Sequence, residues 1–230
     1  MKIVFVGPSL PDAQRFADGM TIRPPALQGD IDRAIDDGAT AIGLIDGGFE
    51  YQPPVWHKEI LRGLSIGVRI LGASSMGALR AAECADFGMI GIGAIFEDYS
   101  SGTLVDDAEV ALLHGPAELG YPALTVPMVN VRATLEALHL SGGIPAEIRD
   151  RLELAARSLF FKDRTWSRVI DECGCETRVL PLLNTHFVDV KRRDALLLMD
   201  AMKNAPNSLA PDFHVWRLNQ PFLEDGDIFA

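Results

Sequence analysis

The fold is decided by residues 68–77, which spell V-R-I-L-G-A-S-S-M-G. A short apolar run ends there in small residues, and a stretch without proline follows as far as Phe87. This pattern predicts a buried strand over Val68–Leu71, a tight turn, and then a helix over Met76–Phe87. Strands that alternate with helices are typical of α/β proteins with a parallel sheet.

Comparable units surround this stretch. Apolar runs predict strands over Lys2–Val6 and Thr40–Ile45, and a Gly- and Ile-rich run predicts a fourth strand over Met89–Phe96. Helices are predicted over residues 11–18, 30–37 and 55–66, whereas two consecutive prolines make residues 21–29 a predicted loop. We therefore predict an α/β fold, a parallel sheet with flanking helices of the doubly wound, Rossmann-like class.

The sequence changes character after about residue 122. Apolar residues recur at helical spacing from Met128 onward, and no strand pattern follows. We predict an α/β core domain over residues 1–122 and a mostly helical region over residues 123–205 that packs on this core. Residues 206–230 show no period and are predicted to be an extended tail.

Composition excludes several classes of protein. The 230 residues are 48% hydrophobic, which is ordinary for a globular chain, and the formal net charge is −11. This acidity argues against binding of nucleic acid or of an anionic membrane, which needs Lys and Arg. Three cysteines form no disulfide framework, and no ligand spacing indicates a metal. The apolar run at the start is too short for a signal peptide, so the expected compartment is the cytoplasm.

The turn after the third predicted strand is a candidate catalytic site. Residues 73–77 have the pattern small-x-Ser-x-small, a relaxed form of the nucleophile elbow G-x-S-x-G. Such a turn exposes the hydroxyl of its middle residue, Ser75, above the start of a helix. The backbone N–H groups of Met76 and Gly77 would then stabilise an oxyanion.

Two other interpretations of this turn stay open. In the first, Ser74 or Ser75 is an N-cap of the helix and Gly77 serves close packing. In the second, the turn binds a phosphate or carboxylate, together with the N–H groups of Gly7 and Ser9 in the turn after the first strand. The carboxyl ends of parallel strands form the functional crevice, and these turns share that edge if the strand order is 2-1-3.

A serine nucleophile needs a base. His57 is the preferred candidate, because it begins the helix after the second strand and shares a helical face with apolar residues, so that it is expected to point inward. Lys58 is the reserve, in a Ser–Lys arrangement. Asp46 and Glu59 are expected to orient the base. Arg80 and Glu83, one turn apart in the helix after Ser75, are expected to pair in support of the site.

Several stretches together resemble the TfuA-like family, in the right order and over about residues 1–170. They are V-G-P-S-L (6–10), R-P-P-A (23–26), G-L-I-D-G (43–47), V-W-H-K-E-I-L (55–61), G-A-S-S-M-G-A-L-R-A-A-E (72–83), F-G-M (87–89), V-N-V-R-A-T (129–134) and R-T-W (164–166). The resemblance implies an accessory role beside a YcaO-family protein, an ATP-dependent enzyme that converts backbone amides of a peptide or protein into thioamides.

What the resemblance implies can be joined to the serine turn. If sulfur arrives as a thiocarboxylate on a sulfur-carrier protein, attack by Ser75 would release sulfide beside the partner enzyme. The chain itself is expected to bind no cofactor, since ATP is used by the partner, and it meets the peptide substrate through that partner. A competing hypothesis is a non-catalytic adaptor that docks the YcaO protein or its substrate peptide, and a third is a hydrolase unrelated to thioamides.

Overall fold

The computed structural model describes residues 1–49 and 52–211. Its centre is a parallel sheet in the order β2-β1-β3-β4-β5. The strands are β1 (Lys2–Phe5), β2 (Thr21–Arg23), β3 (Ala41–Leu44), β4 (Arg69–Ala73) and β5 (Ile90–Ile92). Phe5 lies opposite Leu44, and Leu44 lies opposite Gly72, so the three central strands end level with one another. The predicted parallel sheet is confirmed.

Helices account for most of the remaining described residues. They are α1 (Asp30–Asp36), α2 (His57–Ser65), α3 (Met76–Cys84), α4 (Ala94–Ser100), α5 (Met128–Leu140), α6 (Ala146–Ser158), α7 (Trp166–Cys173), α8 (Val179–Thr185) and α9 (Val190–Asn204). Single 3₁₀ turns lie at Ala13–Phe16, Ala85–Phe87, Asp107–Glu109 and Ala117–Leu119. Within the described part of the chain, no helix is long and apolar enough to cross a membrane.

Both faces of the sheet are covered, because successive side chains of a strand point to opposite faces. One face packs against α1, α2 and α3, whose buried apolar residues meet those of β1, β3 and β4. The other face packs against α9. Gly43 in β3 permits this second contact, since a Cβ there would lie 2.8 Å from Leu198 of α9.

Three local predictions are corrected by the structure. The helix predicted over residues 11–18 is a single 3₁₀ turn at Ala13–Phe16. Residues 21–29, predicted as a loop, begin with the edge strand β2, which pairs with β1 before the two prolines interrupt it. The predicted strand Met89–Phe96 is β5 followed by α4. Gly93 separates the two, because its φ of +91° turns the chain out of the sheet.

The edge strand changes the topology in a way that matters for the site. The assumed order placed the strand Ala41–Leu44 at an outer position, whereas it lies between β1 and β4. With β2 included, the order is 2-1-3-4-5, a doubly wound order whose direction reverses between β1 and β3. Ligands of such folds bind beyond the carboxyl ends of the strands at this switch point.

The second half of the chain builds its own core and contributes to the sheet. Helices α5 to α8 enclose one apolar cluster, whereas α9 belongs to the core of the sheet. The division at residue 122 stays a prediction. The predicted tail, residues 206–230, is described only as far as residue 211. Within that part, Ala210 donates its N–H to the Gly67 carbonyl at 2.6 Å. The structure joins Cys173 to Cys175 in a disulfide, which the sequence analysis did not predict.

Candidate functional site

Three residues predicted from sequence, Gly7, Ser9 and Asp46, are in contact at the switch point. Asp46 follows β3 and is 2% exposed. Its Oδ2 accepts the N–H groups of Gly7 (2.8 Å) and Ser9 (3.0 Å), and its Oδ1 accepts the Ser9 hydroxyl at 2.6 Å. The donors that were expected to bind an external anion therefore bind the chain's own carboxylate. Asp46 fixes the turn after β1, and the structure shows it on that turn rather than on His57.

Ser74 lies at the centre of a strained turn between β4 and α3. The Ser75 N–H donates to the Ala73 carbonyl at 2.8 Å, two residues back, and φ of Ser74 is +70°. This combination is the rarer and more strained form of the γ-turn. The Ser74 side chain is fully buried, and its hydroxyl has no hydrogen-bond partner among the described residues. Strained backbone of this kind concentrates at functional sites.

Two glycines allow the turn to approach the sheet. A Cβ on Gly77 would lie 1.8 Å from the Leu44 carbonyl oxygen, and one on Gly72 would lie 2.1 Å from the Gly77 carbonyl oxygen. The Gly77 N–H donates to the Ile45 carbonyl at 3.1 Å. Close packing at Gly77 is therefore confirmed, and its N–H is already used within the fold.

Ser75 occupies the N-cap position of α3, but its side chain makes no capping hydrogen bond. Its Oγ is instead 3.0 Å from Nζ of Lys191, which also donates to the Val110 carbonyl at 2.7 Å. Ser75 and Lys191 are each 2% exposed. The structure thus pairs the predicted serine with a lysine from α9 that the sequence analysis did not single out.

The environment of Lys191 favours the neutral amine. Burial lowers its pKa, while the carboxylates of Asp46 and Asp189 act in the opposite direction. A neutral amine within hydrogen-bond distance of a hydroxyl is the arrangement that a general base requires. A signal for this residue is present in the sequence, because Lys191 is in helical phase with Ala195, Leu198 and Met202 on the buried face of α9.

The two bases predicted from sequence lie elsewhere. His57 has a 49% exposed side chain, and its Nε2 is 2.8 Å from Oε2 of Glu83. The predicted inward orientation is therefore corrected, because the first turn of α2 directs this residue to solvent. Lys58 is exposed as well. Neither residue makes a hydrogen bond to Ser75 within the described structure, where the partner of Ser75 is Lys191.

The supporting residues are used in local structure. Arg80 donates Nε to the Val55 carbonyl at 2.8 Å and Nη1 to Glu83 at 2.6 Å, which confirms the predicted pair of Arg80 and Glu83. Glu59 accepts N–H groups from Trp56, Gly29 and Ile31, so it caps α2 and the start of α1. Desolvation raises the pKa of Glu59. Its contacts are those of a capping residue.

Ser75 and Lys191 line a cavity of about 510 Å³. Asp46 and Gly47 also line it, as do four residues of a later segment, Val110, Leu112, Leu113 and Tyr121. His114, which was not among the candidates predicted from sequence, also lines it and contacts the Tyr121 ring edge-on at 5.6 Å. The Met76 N–H has no partner in the described residues, so it remains the candidate oxyanion donor among the four predicted, although Met76 itself lines a separate cavity that shares Gly48 and Phe49 with this one. No described group of His, Cys, Asp and Glu has the arrangement of a metal site.

These features define a doubly wound α/β protein with a buried serine–lysine pair at its switch point. The family of TfuA-like proteins matches residues 46–165, which is more than half of the chain and includes Ser75. The chain belongs to the TfuA-like family, which is associated with thioamide formation. A search of curated proteins finds no match. The earlier resemblance is thus confirmed at the level of the family.

Proposed function

We propose that this protein releases sulfide from a thiocarboxylated sulfur-carrier protein for thioamide formation by a YcaO-family partner, with Ser75 as nucleophile and Lys191 as base. The observation that carries the proposal is the 3.0 Å contact between Ser75 Oγ and Lys191 Nζ inside a cavity. Membership of the family supports the thioamide context. The serine–lysine pair replaces the serine–histidine pair that the sequence suggested.

The first step forms an ester. Neutral Lys191 takes the proton of the Ser75 hydroxyl as Oγ attacks the carbonyl carbon of the thiocarboxylate. The C–S bond then breaks, and Lys191 returns the proton to the departing sulfur, which leaves as hydrosulfide. The negative charge of the thiocarboxylate thus becomes the charge of hydrosulfide. The Met76 N–H, at the start of α3, is the donor for the oxyanion of the intermediate.

The second step restores the enzyme. Water loses a proton to Lys191 and attacks the ester, the ester C–O bond breaks, and Ser75 Oγ regains a proton. The carrier leaves as a carboxylate, and one proton is released to solvent. Each turnover therefore converts one thiocarboxylate and one water into one carboxylate and one hydrosulfide, with one proton released, and no redox step is needed.

The cavity favours the end of a chain as substrate. Its volume of about 510 Å³ is in the range of small-molecule sites and does not admit a folded domain. Its lining residues include Pro8, Pro25, Gly47 and Gly48, which add little side-chain bulk. An extended terminus could reach Ser75 while the body of the carrier stays outside.

A second candidate is the adaptor role, in which the protein docks the YcaO enzyme or its peptide. His114 and Ala123 form a β-bridge; Leu119, between them in sequence, is 72% exposed, and Leu124, directly after Ala123, is 53% exposed. Large apolar side chains exposed as a patch are typical of binding surfaces. This role does not require the hydroxyl of Ser75, so one substitution separates the two candidates.

The test measures sulfide release from a thiocarboxylated carrier and, in parallel, thioamide formation with the YcaO partner, ATP and peptide. Ser75→Ala and Lys191→Met should each lower release by at least about 100-fold, since a nucleophile and its base act as a unit. Lys58→Met, which removes an exposed lysine, is the matched control. Thioamide formation should recover in Ser75→Ala when free sulfide is supplied. If Ser75→Ala supports both reactions at the wild-type rate, the adaptor role is correct instead.

A further inference from the structure

The position of Lys191 depends on the first turn of α9. The first N–H groups of a helix have no partner within the helix and need acceptors from outside. Here the Arg192 N–H donates to Asp189 Oδ1 at 3.0 Å, which makes Asp189 the N-cap. The two N–H groups before it, those of Val190 and Lys191, both donate to a single atom, Oδ1 of Asn130, at 3.0 and 3.4 Å.

Asn130 makes a third contact with the same turn. Its Nδ2 donates to Asp189 Oδ1 at 3.0 Å, so one amide group holds the cap and the two residues that follow it. Asn130 is 3% exposed and projects from α5, about sixty residues earlier in the chain. An amide suits this position because it is both donor and acceptor, whereas a carboxylate would face Asp189 without a proton to offer.

We infer that Asn130 is a positioning residue, which clamps the first turn of α9 and thereby holds the Lys191 amine against Ser75. This inference rests on the proposed function. The clamped turn includes the backbone of Lys191 itself, so a displacement of the turn moves the root of the lysine side chain. Because misplacement of a catalytic group by about 1 Å can cost about 100-fold in rate, the clamp is expected to be felt in kcat.

The chain offers a matched control on the same helix. Thr134, one turn after Asn130 in α5, is fully buried, and its hydroxyl accepts the Val188 N–H at 3.0 Å. Thr134→Val also leaves an N–H without its acceptor close to α9, that of the partly buried Val188, but it does not touch the turn that carries Lys191. Asn130→Ala removes the acceptor of two buried N–H groups and is expected to lower stability more, so the activities of the two variants are compared at a temperature at which both are fully folded.

The expected result is a split between the two variants in sulfide release. Asn130→Ala should lower kcat between about 10-fold and about 100-fold with little change in KM for the carrier, whereas Thr134→Val should stay close to the wild type. If the loss of sulfide release in each variant only follows that variant's loss of thermal stability, Asn130 supports the fold alone.

Asn130→Asp tests the clamp through the pH dependence of kcat, which a change in packing alone would not alter. The groups around the Lys191 amine are Asp46 and Asp189, and His114, Tyr121 and Lys162 line the same cavity. A further carboxylate beside Asp189 favours the protonated amine, so the acidic limb of the kcat profile should shift to higher pH. An unshifted limb would show that the Lys191 amine does not sense a charge at position 130, and it would contradict the coupling of the clamp to the base.

A second measurement separates this inference from the proposed function. The rate at which acetic anhydride acylates Lys191, followed by peptide mass spectrometry across pH, requires no carrier and no turnover. Acylation of Lys191 should rise in Asn130→Ala and not in Thr134→Val. If the wild type releases no sulfide while this labelling pattern holds, the proposed function fails and the clamp stands. If both variants label alike, the clamp fails.

Discussion

Replacement of Lys191 by Met tests whether the buried amine is neutral in the folded protein. Met fills most of the same volume without a charge. Burial lowers the pKa of Lys191, whereas in the unfolded chain a lysine titrates near its ordinary value of about 10.4. At any pH between these two values the unfolded chain binds more protons than the folded one. The stability of the wild type therefore rises with pH in this window.

The magnitude follows from the linkage relation. A group whose folded pKa is lowered contributes stability that is fully present above the unfolded pKa and is lost as pH falls through the folded pKa. The slope within the window is about 1.4 kcal/mol per pH unit for one proton, and Lys191→Met removes this slope. Asp194 and Glu59, whose pKa values are raised by burial, are present in both proteins and cancel in the difference.

The assay is urea unfolding of the wild type and Lys191→Met between about pH 6 and about pH 9.5, with the difference in free energy of unfolding plotted against pH. The difference should grow in favour of the wild type as pH rises. Lys203→Met, in which an exposed lysine of the same helix is lost, serves as the reference for the slope of Lys191→Met. A difference that is constant over the whole range would show that Lys191 stays protonated in the fold, and it would remove the base from the proposed mechanism.

Two further outcomes follow from the geometry. His57→Ala should leave the initial rate of sulfide release near that of the wild type, because Nε2 of His57 contacts Glu83 at 2.8 Å rather than Ser75. A loss as large as that of Ser75→Ala would show that the histidine is the base. Ser74→Gly should raise the free energy of unfolding by about 1 kcal/mol in urea titrations, since a φ of +70° costs a non-glycine residue about 1–2 kcal/mol. A destabilised Ser74→Gly would show that the buried hydroxyl has a partner in solution.

The sequence was sufficient for the parallel sheet and for the edge that carries the site. The apolar runs that end at Gly7, Asp46 and Ser75 predict strands whose carboxyl ends meet, and the structure places all three residues at that edge. Local signals suffice here because strand, turn and helix are each encoded within a few residues. The short edge strand Thr21–Arg23 was not predicted, because it pairs only with β1 and is followed directly by two prolines.

The proposed base could not be found in the same way. Lys191 is separated from Ser75 by 116 residues, and only the packing of α9 on the sheet brings the two together. Periodicity does place Lys191 on the apolar face of its helix, which is unusual for a lysine and is the one local signal. The prediction that His57 points inward was wrong, because a position in the first turn of a helix does not determine whether the side chain faces the sheet or the solvent.

Several energetically unfavourable features of this fold lie at or next to the serine–lysine pair. Three non-glycine residues of the described chain have positive φ; of these, Ser74 directly precedes Ser75, and Tyr121 lines the cavity that Ser75 also lines. A buried hydroxyl without a partner among the described residues, that of Ser74, adjoins Ser75, and a buried amine approaches from α9. A turn that served packing alone would require none of these, since an apolar residue in place of Lys191 would cover the same space without desolvating an amine. Their concentration at one strand end favours a reactive site over a packing turn.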